Sequence, residues 1–315
     1  GSASIALSAV SDVEEAIDAG NWLEAYDLAK ALPSQVPDSV RQEIFTSASA
    51  VTNITSTPEG ATVSWRPYDR SDIEAELIGT TPLEWDAPRT TLAIQVELDG
   101  YVSQTFALRA GADRPVALRA LESAQADALY VSSRNLHPAN VEARLASNVP
   151  ARLGEFLIDR YEVTNQEFQE FVDAGGYENQ DFWIYPLEKE GVEVIWSEAI
   201  GEFVDLTGRP GPGIWTAGRY PEGQENYPVT GISWYEAAAY AEFVGRDLPT
   251  VYHWYVASSQ SLAGLIIPRS NFEGNGLAAV GEFSGFTAAG LYDMAGNARE
   301  WLANETGNLR LTLGG

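Results

Sequence analysis

Gly290-Leu291-Tyr292-Asp293-Met294-Ala295-Gly296-Asn297-Ala298-Arg299-Glu300-Trp301 is the stretch whose reading decides the fold. It reads as a loop, with Gly296 permitting a sharp turn and Asp293 and Glu300 placed to cap and brace it. Working outward, Phe156-Leu157-Ile158-Asp159-Arg160-Tyr161-Glu162-Val163-Thr164-Asn165 reads as a strand running into a helix. Thr164 and Glu167 have the spacing of a capping box, so the helix is expected from Gln166 and buries Phe168, Phe171 and Val172. Tyr227-Pro228-Val229-Thr230-Gly231-Ile232-Ser233-Trp234 repeats the pattern, with Ser233 and Glu236 as the box and an alanine-rich helix from Trp234 to Val244. Arg246-Asp247-Leu248-Pro249-Thr250 then breaks that helix and opens a third through His253, Trp254 and Val256. The spacing of His253 from Thr250 marks a helix cap rather than a catalytic base.

This series resembles the formylglycine-generating enzyme family over residues 154–315, with Arg299 the one unusual residue in 290–301. The resemblance implies a large, irregular α+β domain of C-type-lectin-like fold. It also implies a structural calcium held by the side chains of Asp293 and Glu300 and by the backbone carbonyls of Gly296 and Ala298. Oxygen ligands of mixed carboxylate and carbonyl type are what calcium prefers. A second family calcium site matches Asn271 and Phe272, where Glu273 or Asn275 would have to replace the acidic ligand. In oxidase members two cysteines bind copper on a segment that begins just after a Gly-Gly-Ser-Trp/Tyr motif. This sequence has no cysteine, and its Leu313-Gly314-Gly315 matches the opening of that motif. The expectation is therefore that the remainder of the domain, including a last strand against 156–161, is a further segment or a separate piece. The sulfoxide-synthase branch uses iron held by histidines in a helical region; residues 3–50 hold none, which sets that branch aside.

Residues 3–50 read as a helical stalk. Ile5, Leu7, Val10, Val13 and Ile17 recur at helical spacing, a break follows at Gly20-Asn21, and Trp22, Leu23, Tyr26 and Leu28 begin a second helix. Pro33 and Pro37 end it, and Asp38 is placed to cap a third. The pair around Gly20-Asn21 resembles a single tetratricopeptide-like hairpin. Residues 51–121 change to alternating strands, with Asp99-Gly100 as a hairpin turn between Thr91–Leu98 and Val102–Leu108. Pro58-Glu59-Gly60-Ala61, Gly79-Thr80-Thr81-Pro82 and Asp99-Gly100-Tyr101 together resemble the PEGA domain, a small all-β sandwich that brings no chemistry. Residues 122–153 read as a linker that includes a first strand at Tyr130-Val131.

The formal net charge is −26, from 45 acidic and 19 basic residues. Such a surface repels phosphate backbones and anionic headgroups, which argues against nucleic-acid and bilayer partners. No apolar run reaches the ~18 residues of a membrane span. With no cysteine and only His137 and His253, no copper or iron site is read in these residues. Gly1-Ser2 reads as a remnant of expression, so the natural chain is expected to extend upstream. Trp183, Tyr185, Trp196 and Trp215 lie in a loop-rich insertion, 177–226, and are the candidate lining of a ligand groove. The combination resembles the extracytoplasmic part of a bacterial surface or receptor protein. The leading expectation is a non-catalytic module on a calcium-stabilised scaffold, recognising a protein or small molecule, with the displayed variable protein of a diversity-generating system as one form of it. The alternative is a copper-dependent oxidase whose cysteines lie in the missing segment.

Overall fold

The computed structural model describes residues 2–123, 128–136, 152–272, 274–307 and 309–315. His137, Glu273 and most of the expected linker 122–153 lie outside the described residues. The chain divides into two compact units, 1–127 and 128–315. Both mix helices with small sheets, as expected of an α+β chain; the second unit takes in the strand read at Tyr130-Val131.

Three helices open the first unit: α1 (Ser2–Asp18), α2 (Trp22–Lys30) and α3 (Asp38–Ala48). They share a core of Val13, Ala25, Ala29, Leu32, Val36 and Ile44. Asp38 does not cap α3 as expected; Pro37 holds that position, and Asp38 pairs with Arg41 one turn on. Nor do the helices form a free stalk. The Tyr26 hydroxyl donates to the Asp86 carbonyl at 3.0 Å, and Arg89 donates to the Ser47 carbonyl at 2.9 Å, so the helices dock on the strands that follow.

Those strands are β1 (Ser49–Thr57), β2 (Thr62–Pro67), β3 (Glu76–Thr80), β4 (Leu83–Pro88), β5 (Thr91–Glu97), β6 (Gln104–Arg109) and β7 (Asp113–Ala117). They form two sheets, ordered β4-β1-β7 and β3-β2-β5-β6. Ile54, Ala87 and Val116 from the first sheet meet Val63, Ile94 and Phe106 from the second in one buried core. Registers Trp65↔Ile94 and Ile94↔Phe106 place three large side chains in one row across β2, β5 and β6. Cross-strand pairs of aromatic and β-branched residues are the unit of sheet stabilisation.

In the second unit β8 (Ala128–Val131) pairs antiparallel with β11 (Phe156–Asp159), and β9 (Arg134–Asn135) pairs with β10 (Arg152–Leu153). Thus β8 occupies one edge of the strand for which a later partner was expected. Next come α4 (Asn165–Asp173), a hairpin of β12 (Leu187–Lys189) and β13 (Val192–Val194), and the short α5 (Trp196–Ala199). Then follow α6 (Trp234–Phe243), α7 (Val251–Ala257), the short α8 (Ala263–Ile266), and the hairpin of β14 (Arg299–Thr306) and β15 (Leu309–Gly314). Capping boxes are present at Thr164/Glu167 and Ser233/Glu236, and a third joins Thr250 to His253, whose ring nitrogen takes the place usual for a carboxylate. Among the described residues no helix is long and apolar enough to cross a membrane.

Two of the cores in this unit lie next to the site. One packs Phe168, Phe171, Tyr177, Trp183 and Trp215 between α4 and α6; the other gathers Leu129, Val251, Trp254, Leu291, Met294 and Leu302 beneath the 290–301 loop. Phe171 is fully buried among the rings of Phe168, Tyr177, Tyr240 and Phe243. Its replacement by alanine leaves a cavity this rigid ring cluster closes only in part. Phe171→Ala should destabilise the second unit by about 3–5 kcal/mol, read as a lowered urea midpoint.

Candidate functional site

The 290–301 loop is held in shape by three segments distant in sequence. Gly296 has φ +81°, and a Cβ there would lie 2.5 Å from the Asn271 carbonyl oxygen, so conformation and space both require glycine. The same carbonyl accepts from the Asn297 amide at 3.0 Å. Asn297 and Asp293 are also left-handed, with φ 60° and 55°, a conformation that asparagine and aspartate tolerate better than most residues. The Asn297 side chain accepts from the Ala278 amide at 2.9 Å and donates to Glu162 Oε2 at 2.7 Å. Glu162 Oε1 accepts from the Ala298 amide at 2.9 Å, so one carboxylate clamps two successive loop residues. Asp293 Oδ2 accepts from the Gly281 amide at 2.7 Å, and Glu300 Oε2 accepts from the Trp254 indole at 2.8 Å.

Three carboxyl groups, Asp293 buried and Glu162 and Glu300 half-buried, thereby interact in one region. Burial pushes Glu162 up to about 8, against the Ala298 hydrogen bond and with further help from the charges of Glu300 and Asp293. Burial likewise raises Glu300 to about 7, with the Asp293 charge adding to it against the Trp254 hydrogen bond. Asp293 is raised by burial too, although the Gly281 amide opposes the shift and Glu282 reinforces it. Like charges held together out of water favour either a proton or a cation between them. The backbone oxygens of Met294 and Ala298, on the same loop, lie 3.7 and 3.5 Å from where a Cβ on Gly314 would stand. Among the described residues no three His, Cys, Asp or Glu side chains are arranged to hold a metal by themselves. A cation here would therefore need main-chain carbonyls beside the carboxylates. Carboxylate plus carbonyl is a hard donor set that fits calcium and does not fit copper or iron.

At the second expected calcium position, the Asn271 amide donates to the Gly276 carbonyl at 2.9 Å and to Asn297 Oδ1 at 3.1 Å, while Phe272 is exposed. Asn271 thus braces the first loop. The structure also divides the four aromatic candidates. Trp215 is fully buried and Trp183 nearly so, its indole donating to the Gly176 carbonyl at 2.9 Å; both are core residues. Trp196 is half-buried, packed against the same core. Tyr185 stays exposed, edge-on to Trp234 with ring centroids 4.8 Å apart. Trp234 in turn carries the Arg310 guanidinium 3.8 Å from its ring centroid.

The profile of the sulfatase-modifying factor enzyme 1-like domain matches residues 131–312, more than half of the chain. The chain belongs to that family. A formylglycine-generating enzyme of Thermomonospora curvata is 29% identical, the match covering 52% of this chain and 71% of that one. An inactive C-alpha-formylglycine-generating enzyme 2 of Mus musculus is 30% identical over 47% of this chain and 58% of its own length. The serine/threonine-protein kinase pkn1 of Chlamydia pneumoniae is 30% identical over 47% of this chain, which spans only 22% of the kinase. Within this family domain, Glu162 and Trp254 are the site residues that sequence reasoning missed. The available signal was a carboxylate two positions before the capping Thr164, between Tyr161 and Val163, but nothing local says what it clamps.

The raised carboxyl groups set a pH dependence in the cation-free protein. Native Glu162 and Glu300 hold protons between about 4.5 and 7–8 that the unfolded chain has released, so stability falls as pH rises through that window. Glu300→Gln keeps an acceptor for Trp254 and removes one charge. In EGTA it should flatten the decline in urea midpoint between pH 5 and 8; an unchanged slope would show that Glu300 ionises as an exposed group does.

Proposed function

We propose that this chain is a non-catalytic recognition scaffold, displayed outside the cytoplasm, whose 290–301 loop is held by one calcium ion. The observation that carries the reading is the cluster of Glu162, Asp293 and Glu300, whose carboxylates are each hydrogen-bonded to or within the 290–301 loop and are raised chiefly by burial. Asp293 and Glu300 would hold the ion by side chains, with the carbonyls of Gly296 and Ala298 completing the set; Glu162 positions the turn that presents those carbonyls. The ion supplies charge neutralisation and no redox chemistry. The proposal is confined to this site.

The non-catalytic half of the reading is supported by the sequence, which holds no thiol to bind copper or attack a substrate. A relative named inactive shows that the family includes such members. The match to a small part of a chain named as a kinase agrees with a domain that serves as one module of a larger protein.

Two measurements test the two halves. A ligand bound only to the native state stabilises it by about 2.7 kcal/mol at a hundredfold excess over its dissociation constant. Millimolar calcium should therefore raise the melting temperature of the second unit by several degrees over EGTA, and Asp293→Asn should abolish the rise. No shift in the parent protein overturns the calcium site. Separately, the copper(I)-treated protein should leave a cysteine-containing peptide unoxidised; aldehyde formation above the protein-free control overturns the non-catalytic reading.

A further inference from the structure

The hairpin of β12 and β13 carries features that the packing of the domain does not explain. Over 184–195, Ile184, Tyr185, Val192 and Ile195 are exposed by 56%, 41%, 65% and 64%. Four large apolar side chains are thus left in water within twelve residues, a concentration of exposed apolar surface that favours contact with a partner. Register Glu188↔Glu193 sets two exposed carboxylates directly opposite one another, a pairing that destabilises a hairpin. Between 187 and 202, Glu188, Glu190, Glu193, Glu198 and Glu202 stand against Lys189 alone. That lysine is committed to Glu202 at 2.5 Å, while the other four glutamates form no ion pair among the described residues.

Behind the hairpin lies a cavity of about 260 Å³, bounded by Leu187, Val194, Phe203 and Tyr235; its charged members are Glu202, paired with Lys189, and Glu188, which has no ion pair among the described residues. It is smaller than the ~300–1,000 Å³ of sites that enclose a drug-sized ligand, so its size fits single side chains better than a whole cofactor. Apolar walls with acidic neighbours match a side chain that is aliphatic along its length or beside a positive charge.

From these juxtaposed features we infer that the β12–β13 hairpin and the cavity behind it form the recognition surface of this domain, and that the occupant is an extended protein segment alternating basic and aliphatic side chains. The aliphatic positions lie on the hairpin face that carries Leu187, Val192 and Val194 and enter the cavity. The basic ones separate Glu188 from Glu193 and relieve their repulsion. This inference rests on the recognition reading above and names its partner chemistry, but it does not depend on the calcium site.

The probe is a short fluorescein-labelled peptide of alternating lysine and leucine, titrated by anisotropy onto the full chain in calcium. It should bind saturably and weaken as salt screens the carboxylates. The double variant Glu188→Lys/Glu193→Lys should weaken it by about tenfold or more. Val192→Ser/Ile195→Ser should weaken it about fivefold by removing apolar contact. Both pairs are at the surface, and an unchanged urea midpoint will show that each variant is folded. A lysine–glycine peptide that binds equally well, or binding indifferent to both variants, would reduce the interaction to the general attraction of an acidic chain and overturn the inference. Absence of binding also overturns it. In either case the calcium melt and the thiol-peptide assay still report on the broader reading.

Discussion

The clamp between Glu162 and the Asn297–Ala298 turn is the interaction on which the second unit depends. A buried carboxylate is costly unless its oxygens accept hydrogen bonds, and here each accepts one from a successive residue of the same loop. The clamp fixes Asn297 in a left-handed conformation, which turns Gly296 against the Asn271 carbonyl. It also orients the start of β14, whose Glu300 is then tied to Trp254 of α7. One carboxylate thus joins the approach to α4, the 270s segment, α7 and the final hairpin.

That arrangement has an electrostatic consequence. Holding the turn with Glu162 brings it close enough to Asp293 and Glu300 for their charges to raise it, as the Asp293 charge also raises Glu300. In water such neighbours would be screened; buried, they are not. The cluster is therefore stable when protonated or when a cation neutralises it. Either state supports the same loop geometry, so the charge burden and the shape of the scaffold have a common origin. Recognition, by contrast, is assigned to an exposed hairpin where carboxylates repel without being desolvated. Buried carboxylates serve the frame and surface carboxylates serve contact, because burial alone decides whether a charge must be satisfied within the chain.

Much of the frame was legible in residue order. The capping boxes at Thr164/Glu167 and Ser233/Glu236 are local contacts, and spacing suffices to read them. Pairing through Asp99-Gly100 was equally local, since the turn sets the register of β5 against β6. Asp38 misled because capping depends on which residue leaves the helical conformation, and Pro37 does so first. The aromatic insertion misled for a different reason. Trp183, Tyr185, Trp196 and Trp215 look alike in composition, yet only packing separates the buried Trp215 from the exposed Tyr185.

The sequence by itself determined the family of the second unit, the irregular loop at its centre, the absence of thiols and the strong negative charge. These are properties of residue identity and short-range spacing. Only the tertiary structure decided that Glu162, 131 positions before Asp293, joins that loop, and that Asn271 braces it. Such pairings are made by hydrogen bonds between segments far apart in the chain. Their partners follow from the fold, and no local period or spacing encodes them.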